Sequence, residues 1–174
     1  MTNRAFDNAR VWRVGPDVDT DALAPGAYMK HGLEVIGQHC LEAVRADFAS
    51  GVRKGDVLVA GANFGIGSSR EQAAGVLRHL GLAAVIAPSY SGLFFRNAFT
   101  LGLLLLTCPE AAQMTEAEPV GLQFEGDIPQ VVRANGQRLA CSPIPDFLMD
   151  MVHAGGLVNV LKQRMAASPV STPS

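Results

Sequence analysis

Residues 63–71, which read NFGIGSSRE, combine two glycines with two serines, an arginine and a glutamate. They follow an apolar run, VLVA, that is typical of a buried strand, and they lead into a helical pattern, EQAAGVLRHLG. Glycines let a backbone approach a ligand closely, and the free amides and dipole of a helix N-terminus favour an anion. Arg70 adds a fork of donors that suits a carboxylate or a phosphate. The stretch therefore predicts an anion site that also holds a serine hydroxyl.

A plainer interpretation is that the same residues only begin a helix. Ser68 and Glu71 match a capping box, in which each side chain bonds the backbone amide of the other residue. Three familiar fingerprints are absent. No lysine follows Gly67 as a P-loop requires, Arg70 stands where a dinucleotide loop needs glycine, and no G-x-S-x-G elbow surrounds Ser68. These absences disfavour a serine hydrolase and leave the anion site and the plain helix start both open.

Composition excludes several other classes of protein. The chain has 174 residues, of which 48% are hydrophobic and 17% charged, enough for one domain with its own core. A net charge of −2 and scattered basic residues argue against nucleic-acid binding. Three distant cysteines and four histidines without metal-ligand spacing predict no metal site in this chain. No run is long enough to span a bilayer and no signal peptide is recognisable, so we expect a protein of the reducing cytoplasm.

The pattern of apolar runs predicts one α/β domain over residues 1–165. Its core is a strand, the glycine-rich turn, a helix and a second, parallel strand, LAAVIAPS. LEVIGQHCLEAVRADFA and SGLFFRNAFTLG predict further helices, LLLLTC another strand, and ANGQ a hairpin between two short strands. A closing helix, PDFLMDMVHAGGLVNVLKQRM, should break at its glycine pair, and residues 166–174 are expected to be disordered.

Three separated motifs resemble one known family. NFGIGSSRE with VIAPSYSGLFFRNAFTLGLLLL, the earlier VWRVGPDVDTDALAPGAY and the closing PDFLMDMVHAGGLVNVLKQR are similar, in the same order, to the small subunit of 3-isopropylmalate dehydratase. The resemblance extends to the swivelling domain of aconitase and to homoaconitase small subunits. It runs from Val11 to Arg164, and it implies a compact three-layer β/β/α domain of the aconitase-swivel type.

The resemblance also implies an activity and a partner. The family's enzymes are hydro-lyases that isomerise a hydroxy acid by removing water and adding it back, and for this chain the resemblance implies a function in leucine biosynthesis or on a related hydroxy acid. Their [4Fe–4S] cluster is held by a separate large subunit or by preceding domains, so this chain would hold no cofactor. It would contribute half of an active site in a heterodimer or heterotetramer with an iron–sulfur large subunit.

Individual residues take roles through the same resemblance. Ser68 matches the serine that, as an alkoxide, takes a proton from the carbon beside a carboxylate, and Arg70 matches the arginine that binds a substrate carboxylate. Asp21 matches an acid that orients a group across the interface, although a simple turn-forming role stays open for it. The other residues that resemble substrate-binding positions are Ser69, Gly67, Thr20, Lys30 and Tyr28.

Several alternatives stay open at this point. Lys30, in the loop that resembles the family's specificity segment, fits either an ordinary exposed lysine or a cation for a second substrate carboxylate. The latter would suit a homoaconitase-like, aconitase-like or methyl-substituted malate dehydratase small subunit. Ile66 and Gln72 replace a cysteine and a histidine that are usual in the family motif. A different class of function, a non-catalytic anion-binding or regulatory module, is also compatible with the sequence.

Overall fold

Seven strands form one mixed β-sheet in the computed structural model, which describes residues 6–168. The spatial order is β4-β3-β2-β1-β5-β6-β7, so the first strand of the chain lies in the middle of the sheet. The strands are Phe6–Arg13 (β1), Val57–Val59 (β2), Ala84–Ala87 (β3), Leu105–Thr107 (β4), Pro119–Glu125 (β5), Ile128–Val132 (β6) and Arg138–Ala140 (β7).

Seven α-helices connect or flank these strands within the described residues. Two single turns of 3₁₀ helix, Gly26–Tyr28 and Ala111–Gln113, accompany them. None of the helices in residues 6–168 combines the length and the apolar character needed to cross a membrane. The α-helices are Thr20–Leu23 (α1), Leu33–Gln38 (α2), Phe48–Gly51 (α3), Gln72–His79 (α4), Gly92–Thr100 (α5), Asp146–Ala154 (α6) and Leu157–Ala167 (α7).

The parallel half of the sheet confirms the predicted strand, turn, helix and strand core. β1, β2, β3 and β4 pair in parallel, and α4 and α5 form the crossovers that follow β2 and β3. Every residue of β2 and β3 is buried, which is why these strands read as continuous apolar runs. Right-handed crossovers that all step in one direction place the connecting helices on one face of the sheet. The predicted α/β class is therefore confirmed.

The antiparallel half joins the other edge of β1. The Asn-Gly signal is confirmed, because β6 and β7 pair antiparallel across a turn that Gly136 completes at a φ of 86°. The strand β5, which lies between β1 and β6, was not predicted from the sequence. Its buried residues do not alternate strictly with exposed ones, so its pattern was too weak to be recognised.

The predicted helix over LEVIGQHCLEAVRADFA is wrong as a single element. Helix α2 ends at Gln38, turns follow, and only the short α3 resumes at Phe48. Leu41 adopts a φ of 61°, and its amide donates to the carbonyl of Ala22 at 2.8 Å. A tertiary hydrogen bond and a fully buried Leu41 side chain thus override the helical periodicity.

The closing segment breaks as predicted. Gly155 and Gly156 have φ values of 82° and 131°, and they separate α6 from α7. Helix α7 continues to Ala167, two residues into the tail that was expected to be disordered. The rest of that tail, from residue 169, lies outside the described residues.

A buried carboxylate fastens β1 to the start of β2. The Oδ2 atom of Asp56 accepts hydrogen bonds from Arg10 Nη2 at 2.8 Å, Trp12 Nε1 at 2.8 Å and the Arg53 amide at 2.9 Å. Partial burial opposes ionisation of this carboxyl, but the hydrogen bonds from Arg10, Trp12 and the Arg53 amide outweigh it and hold its pKa below the ordinary value. The guanidinium groups of Arg10 and Arg45 also lie over the Trp12 ring, at 4.8 and 4.5 Å from its centroid.

Replacement of this carboxylate should destabilise the fold. Asp56→Asn leaves Arg10 and the indole N–H with a weaker acceptor, and we expect a loss of about 2–3 kcal/mol in the free energy of unfolding. Because the folded pKa is lowered, the stabilisation is present above the unfolded pKa and is lost as pH falls through the folded pKa. The variant should therefore show a shallower acid dependence. Urea unfolding at neutral and acid pH measures both effects.

The matched control is Asp127→Asn, an exposed aspartate between β5 and β6. It should unfold at nearly the wild-type urea concentration. Equal midpoints for both variants would show that the Asp56 network does not hold the two strands together.

Candidate functional site

Two loops pair side by side beyond the carboxyl ends of β1 and β2. The Asp17 amide donates to the Ala62 carbonyl at 2.9 Å, the Gly65 amide to Val18 at 2.7 Å, and the Thr20 amide to Ile66 at 2.8 Å. These bonds extend the parallel pairing of β1 and β2 into the glycine-rich turn. The carboxyl ends of parallel strands are where ligands bind in open α/β sheets.

Glycine is required at two positions of this turn. Gly65 has a φ of 81°, and a Cβ atom there would lie 2.3 Å from the Phe94 ring. Gly67 has a φ of 109°, and its Cβ would lie 3.1 Å from the Thr20 hydroxyl. Gly65 lets α5 pack under the turn, and Gly67 lets Thr20 approach the residue after Gly67 in the chain.

That following residue, Ser68, lies in the middle of a small polar network. Its Oγ atom is 3.2 Å from the Thr20 Oγ1 atom, and it accepts a hydrogen bond from Arg70 Nε at 3.0 Å. Thr20 is buried, whereas Ser68, Ser69 and Gly67 are exposed. Ser68 is thus an exposed residue whose hydroxyl is held in position by a buried hydroxyl and a guanidinium.

The predicted capping box is wrong. Helix α4 begins at Gln72, its N-cap residue is Glu71, and no side chain caps it. Ser68 lies four residues before the helix and bonds to Thr20 and Arg70 instead. The long-range contact with the first loop replaces the local bond that the S-x-x-E spacing suggested. Ser68 is therefore held by the tertiary structure and not by the helix that follows it.

The Arg70 side chain is held in position by hydrogen bonds to the first of the two paired loops. Its Nη1 atom donates to the Ala24 carbonyl at 2.8 Å and to Asp21 Oδ1 at 3.2 Å. With Nε on Ser68, these contacts leave Nη2 without a hydrogen-bond partner among the described residues. The guanidinium is therefore positioned beside the serine and keeps donor capacity for an anion.

Asp21 ties Arg70 to the next turn of the chain. Its Oδ1 atom accepts from the Gly26 amide at 2.9 Å as well as from Arg70. The Gly26 amide first, and the Arg70 guanidinium second, hold the pKa of the Asp21 carboxyl below its ordinary value. Its neighbours have other functions: Asp19 caps α1 through the Ala22 amide at 2.7 Å, and Asp17 accepts from the Asn63 side chain at 3.0 Å.

Two contacts at the site were not anticipated from the sequence. Asn97, on α5, donates from Nδ2 to the Ser69 carbonyl at 3.2 Å and so anchors the chain between Ser68 and Arg70. The shortest hydrogen bond of the Arg70 side chain is the one that it donates to the Ala24 carbonyl. Asn97 lies within the motif quoted above, whereas no side-chain signal marks a carbonyl acceptor.

Tyr28 and Lys30 lie farther along the first loop. Tyr28 ends the 3₁₀ turn Gly26–Tyr28 and stacks on the His39 ring, with centroids 3.6 Å apart and planes at 5°. Lys30 is exposed just beyond it. Neither side chain hydrogen bonds to Ser68 or Arg70 in the described part of the chain. Their link to the site is indirect, through Asp21 and Gly26.

A metal site does not form among residues 6–168. No group of three or more His, Cys, Asp or Glu side chains lies together in a way that could hold an ion. Asp17, Asp19 and Asp21 are instead engaged in the separate contacts described above.

Comparisons with known proteins agree on one family. Residues 25–111 match the family described as the aconitase C-terminal domain. The chain is 40% identical over 154 residues to the 3-isopropylmalate dehydratase small subunit 1 of Archaeoglobus fulgidus, covering 88% of this chain and 95% of that protein. It is 41% identical over 151 residues to the methanogen homoaconitase small subunit of Methanothermobacter thermautotrophicus, covering 86% of this chain and 87% of that protein.

A solved structure has the same fold. The crystal structure of 3-isopropylmalate dehydratase from Methanocaldococcus jannaschii superposes with a TM-score of 0.85 at 34% sequence identity. The match covers 93% of this chain and 96% of that one.

The Asp21 carboxyl should report directly on the position of Arg70. In Arg70→Met, we expect the pKa of Asp21 to rise toward its ordinary value but not to reach it, because the Gly26 amide still donates to Oδ1. Carboxyl-carbon NMR titration of the full chain measures the change. Arg138→Met, which removes an exposed arginine from β7, is the matched control and should leave the Asp21 titration unchanged. An unaltered titration in Arg70→Met would contradict the contact.

Proposed function

Because this chain belongs to the family of 3-isopropylmalate dehydratase small subunits, we propose that it is one half of a heteromeric hydro-lyase. The enzyme isomerises a hydroxy acid by removing water and adding it back on the neighbouring carbon. The observation that carries the proposal is the hydroxyl of the exposed Ser68, which is held between the Arg70 guanidinium and the buried Thr20 hydroxyl.

The proposed base is Ser68. A serine hydroxyl is normally far too weak to take a proton from carbon, so its alkoxide needs positive charge and hydrogen-bond donors around it. Arg70 Nε already donates to this oxygen at 3.0 Å, and the Thr20 hydroxyl at 3.2 Å can donate as well. Both interactions strengthen when the oxygen becomes negative, which lowers the energy of the charged form.

The proposed carboxylate site is Arg70, with help from backbone at Gly67 and from Ser69. The Nη2 atom of Arg70 is the donor that its contacts within residues 6–168 leave open. Asp21 accepts from Nη1 and so acts as a positioning residue that keeps the guanidinium beside Ser68. A substrate carboxylate held here brings its neighbouring carbon close to the Ser68 oxygen.

The other half of the site belongs to a partner. We propose an iron–sulfur large subunit that covers the exposed turn in a heterodimer or a heterotetramer. Its [4Fe–4S] cluster, when bound, supplies a Lewis acid for the hydroxyl that departs. The three thiols of this chain are buried and free, which supports a function in the reducing cytoplasm.

The choice of substrate depends on the side group that the site must accommodate. Relatives of similar identity include both 3-isopropylmalate dehydratase and homoaconitase small subunits. We propose that the loop carrying Tyr28 and Lys30 makes the distinction, because the Gly26 amide joins it to Asp21 and therefore to Arg70. An isopropyl group needs an apolar neighbour at this loop, whereas a second carboxylate needs a cation.

Removal of the Ser68 hydroxyl should abolish turnover while sparing substrate binding. For Ser68→Ala in the complex purified anaerobically with its large subunit, we expect kcat to fall by about 10²–10⁴-fold with little change in KM. Ser50→Ala, at an exposed serine on α3, is the matched control and should retain wild-type kinetics. Full activity of Ser68→Ala, or isolation of the chain without any larger partner, would favour a non-catalytic anion-binding module.

The role of Lys30 can be measured as a change in preference. If Lys30 binds a second carboxylate, Lys30→Leu should lower kcat/KM for citrate or homocitrate by about tenfold or more relative to isopropylmalate, because a charge-assisted bond is lost. Lys162→Leu, at an exposed lysine on α7, serves as the control. An unchanged ratio of kcat/KM values would discard the role for Lys30.

A further inference from the structure

A second groove lies at the opposite end of the sheet from Ser68. It has a volume of 930 Å³, and its walls include Leu82, Ala83, Leu103 and Leu104, which immediately precede β3 and β4. It is therefore at the amino ends of the parallel strands, whereas Ser68 is beyond their carboxyl ends. Helix α4 separates the two places, and its eight residues span about 12 Å at about 1.5 Å per residue.

Basic side chains line this groove without any carboxylate among its lining residues. Lys54, Arg78, His79 and His153 all face it, and all four are exposed. Two of these carry full positive charges, and each imidazole offers at least one N–H donor. Within the described residues, neither Lys54 nor Arg78 forms an ion pair, in contrast to Arg10, Arg45 and Arg133 elsewhere in the fold.

Part of the groove lining is apolar. Leu33 and Leu101 are half-buried there, whereas Leu82, Leu103, Leu104 and Val152 are buried in the core. The groove thus combines an apolar surface with cationic groups, an arrangement that suits an amphipathic anion. The apolar lining residues are Leu33, Leu82, Leu101, Leu103, Leu104 and Val152.

Two glycines lie next to the cationic side chains. Gly81, with a φ of 84°, brings the Lys54 stem so close that a Cβ there would lie 3.1 Å from Lys54 Cβ, and the Gly55 amide donates to the Gly81 carbonyl at 2.8 Å. Arg78 Nη2 lies 3.2 Å from the position a Gly155 Cβ would take, at the break between α6 and α7. The base of the lysine is thus packed against Gly81, and the tip of the arginine lies beside Gly155.

Helix ends do not account for this charge. The carboxyl ends of α4 and α6 meet near the groove, and each contributes about −0.5 charge. The amino end of α7 returns about +0.5. Lys54 and Arg78 alone therefore leave the groove positive. An adjoining hollow of 450 Å³ shares His153 and adds Arg164 and Asp150, which cancel one another.

We propose that this groove binds a small organic dianion with an apolar portion, at a site separate from the one that contains Ser68. The shared chemistry is a doubly charged head group, either a phosphate ester or a dicarboxylate. Arg78 supplies the fork of donors, Lys54 and the two histidines surround the head group, and the half-buried Leu33 and Leu101 contact the apolar part. The inference rests on this groove and does not depend on the proposed catalytic function.

The test is binding of two probes that share an apolar group, phenyl phosphate and phenylsuccinate, to the full chain. Backbone amide NMR titration locates each probe and gives its affinity. We expect saturable shifts at the amides of residues 81–83 and 102–104, and about tenfold or greater weakening in Arg78→Met. Lys54→Met, whose side chain is exposed, is a second variant that should weaken binding in the same way.

Two controls separate this groove from the Ser68 site and from a general effect of charge. Arg70→Met should keep wild-type binding in the groove, and so should Arg138→Met, which removes an equal charge from β7. Tighter binding of one probe identifies the head group as phosphate or dicarboxylate. Shifts confined to residues near Ser68, equal affinity in Arg78→Met and wild type, or no saturable binding of either probe would overturn the proposal.

Discussion

The pairing of two loops is the constraint on which the rest of the site depends. Backbone hydrogen bonds from Asp17, Gly65 and Thr20 extend the β1–β2 pairing beyond the strands and place two distant segments at contact distance. Each such bond contributes only about 1 kcal/mol net, yet together they fix the register of one loop on the other. Because the Thr20 amide donates a hydrogen bond to the Ile66 carbonyl, the Thr20 hydroxyl lies beside Ser68. Ser68 is therefore positioned without a capping bond to helix α4.

The electrostatics of the site follow from this register. Arg70 donates hydrogen bonds across the paired loops to Ala24 and Asp21, and Asp21 also accepts a hydrogen bond from the Gly26 amide. The guanidinium is thereby held on the serine oxygen by acceptors that lie on the other loop. An arginine whose Nη2 group keeps both of its N–H donors is suited to an anion, since its position is set before a ligand arrives.

The central strand connects this site to the stability of the whole fold. β1 pairs with a parallel strand on one edge and an antiparallel strand on the other, so it is shared by both halves of the sheet. Asp56 fastens it at the amino end of β2 through Arg10 and Trp12, and the paired loops fasten it at the carboxyl end. The polar turn can therefore remain exposed while its base stays buried.

The sequence by itself determined the parallel core, the Asn-Gly hairpin and the break at Gly155, and it predicted the anion site around Ser68 and Arg70. These features are local: continuous apolar runs, glycines at turns and side-chain type are set by neighbours along the chain. Tertiary structure alone decided that Ser68 bonds to Thr20 instead of capping α4, that the helical pattern does not continue through Leu41, and that the Ala24 carbonyl accepts from Arg70. Those outcomes depend on contacts between segments distant in sequence, because a long-range hydrogen bond or a buried side chain outweighs the weak local preferences that spacing reveals.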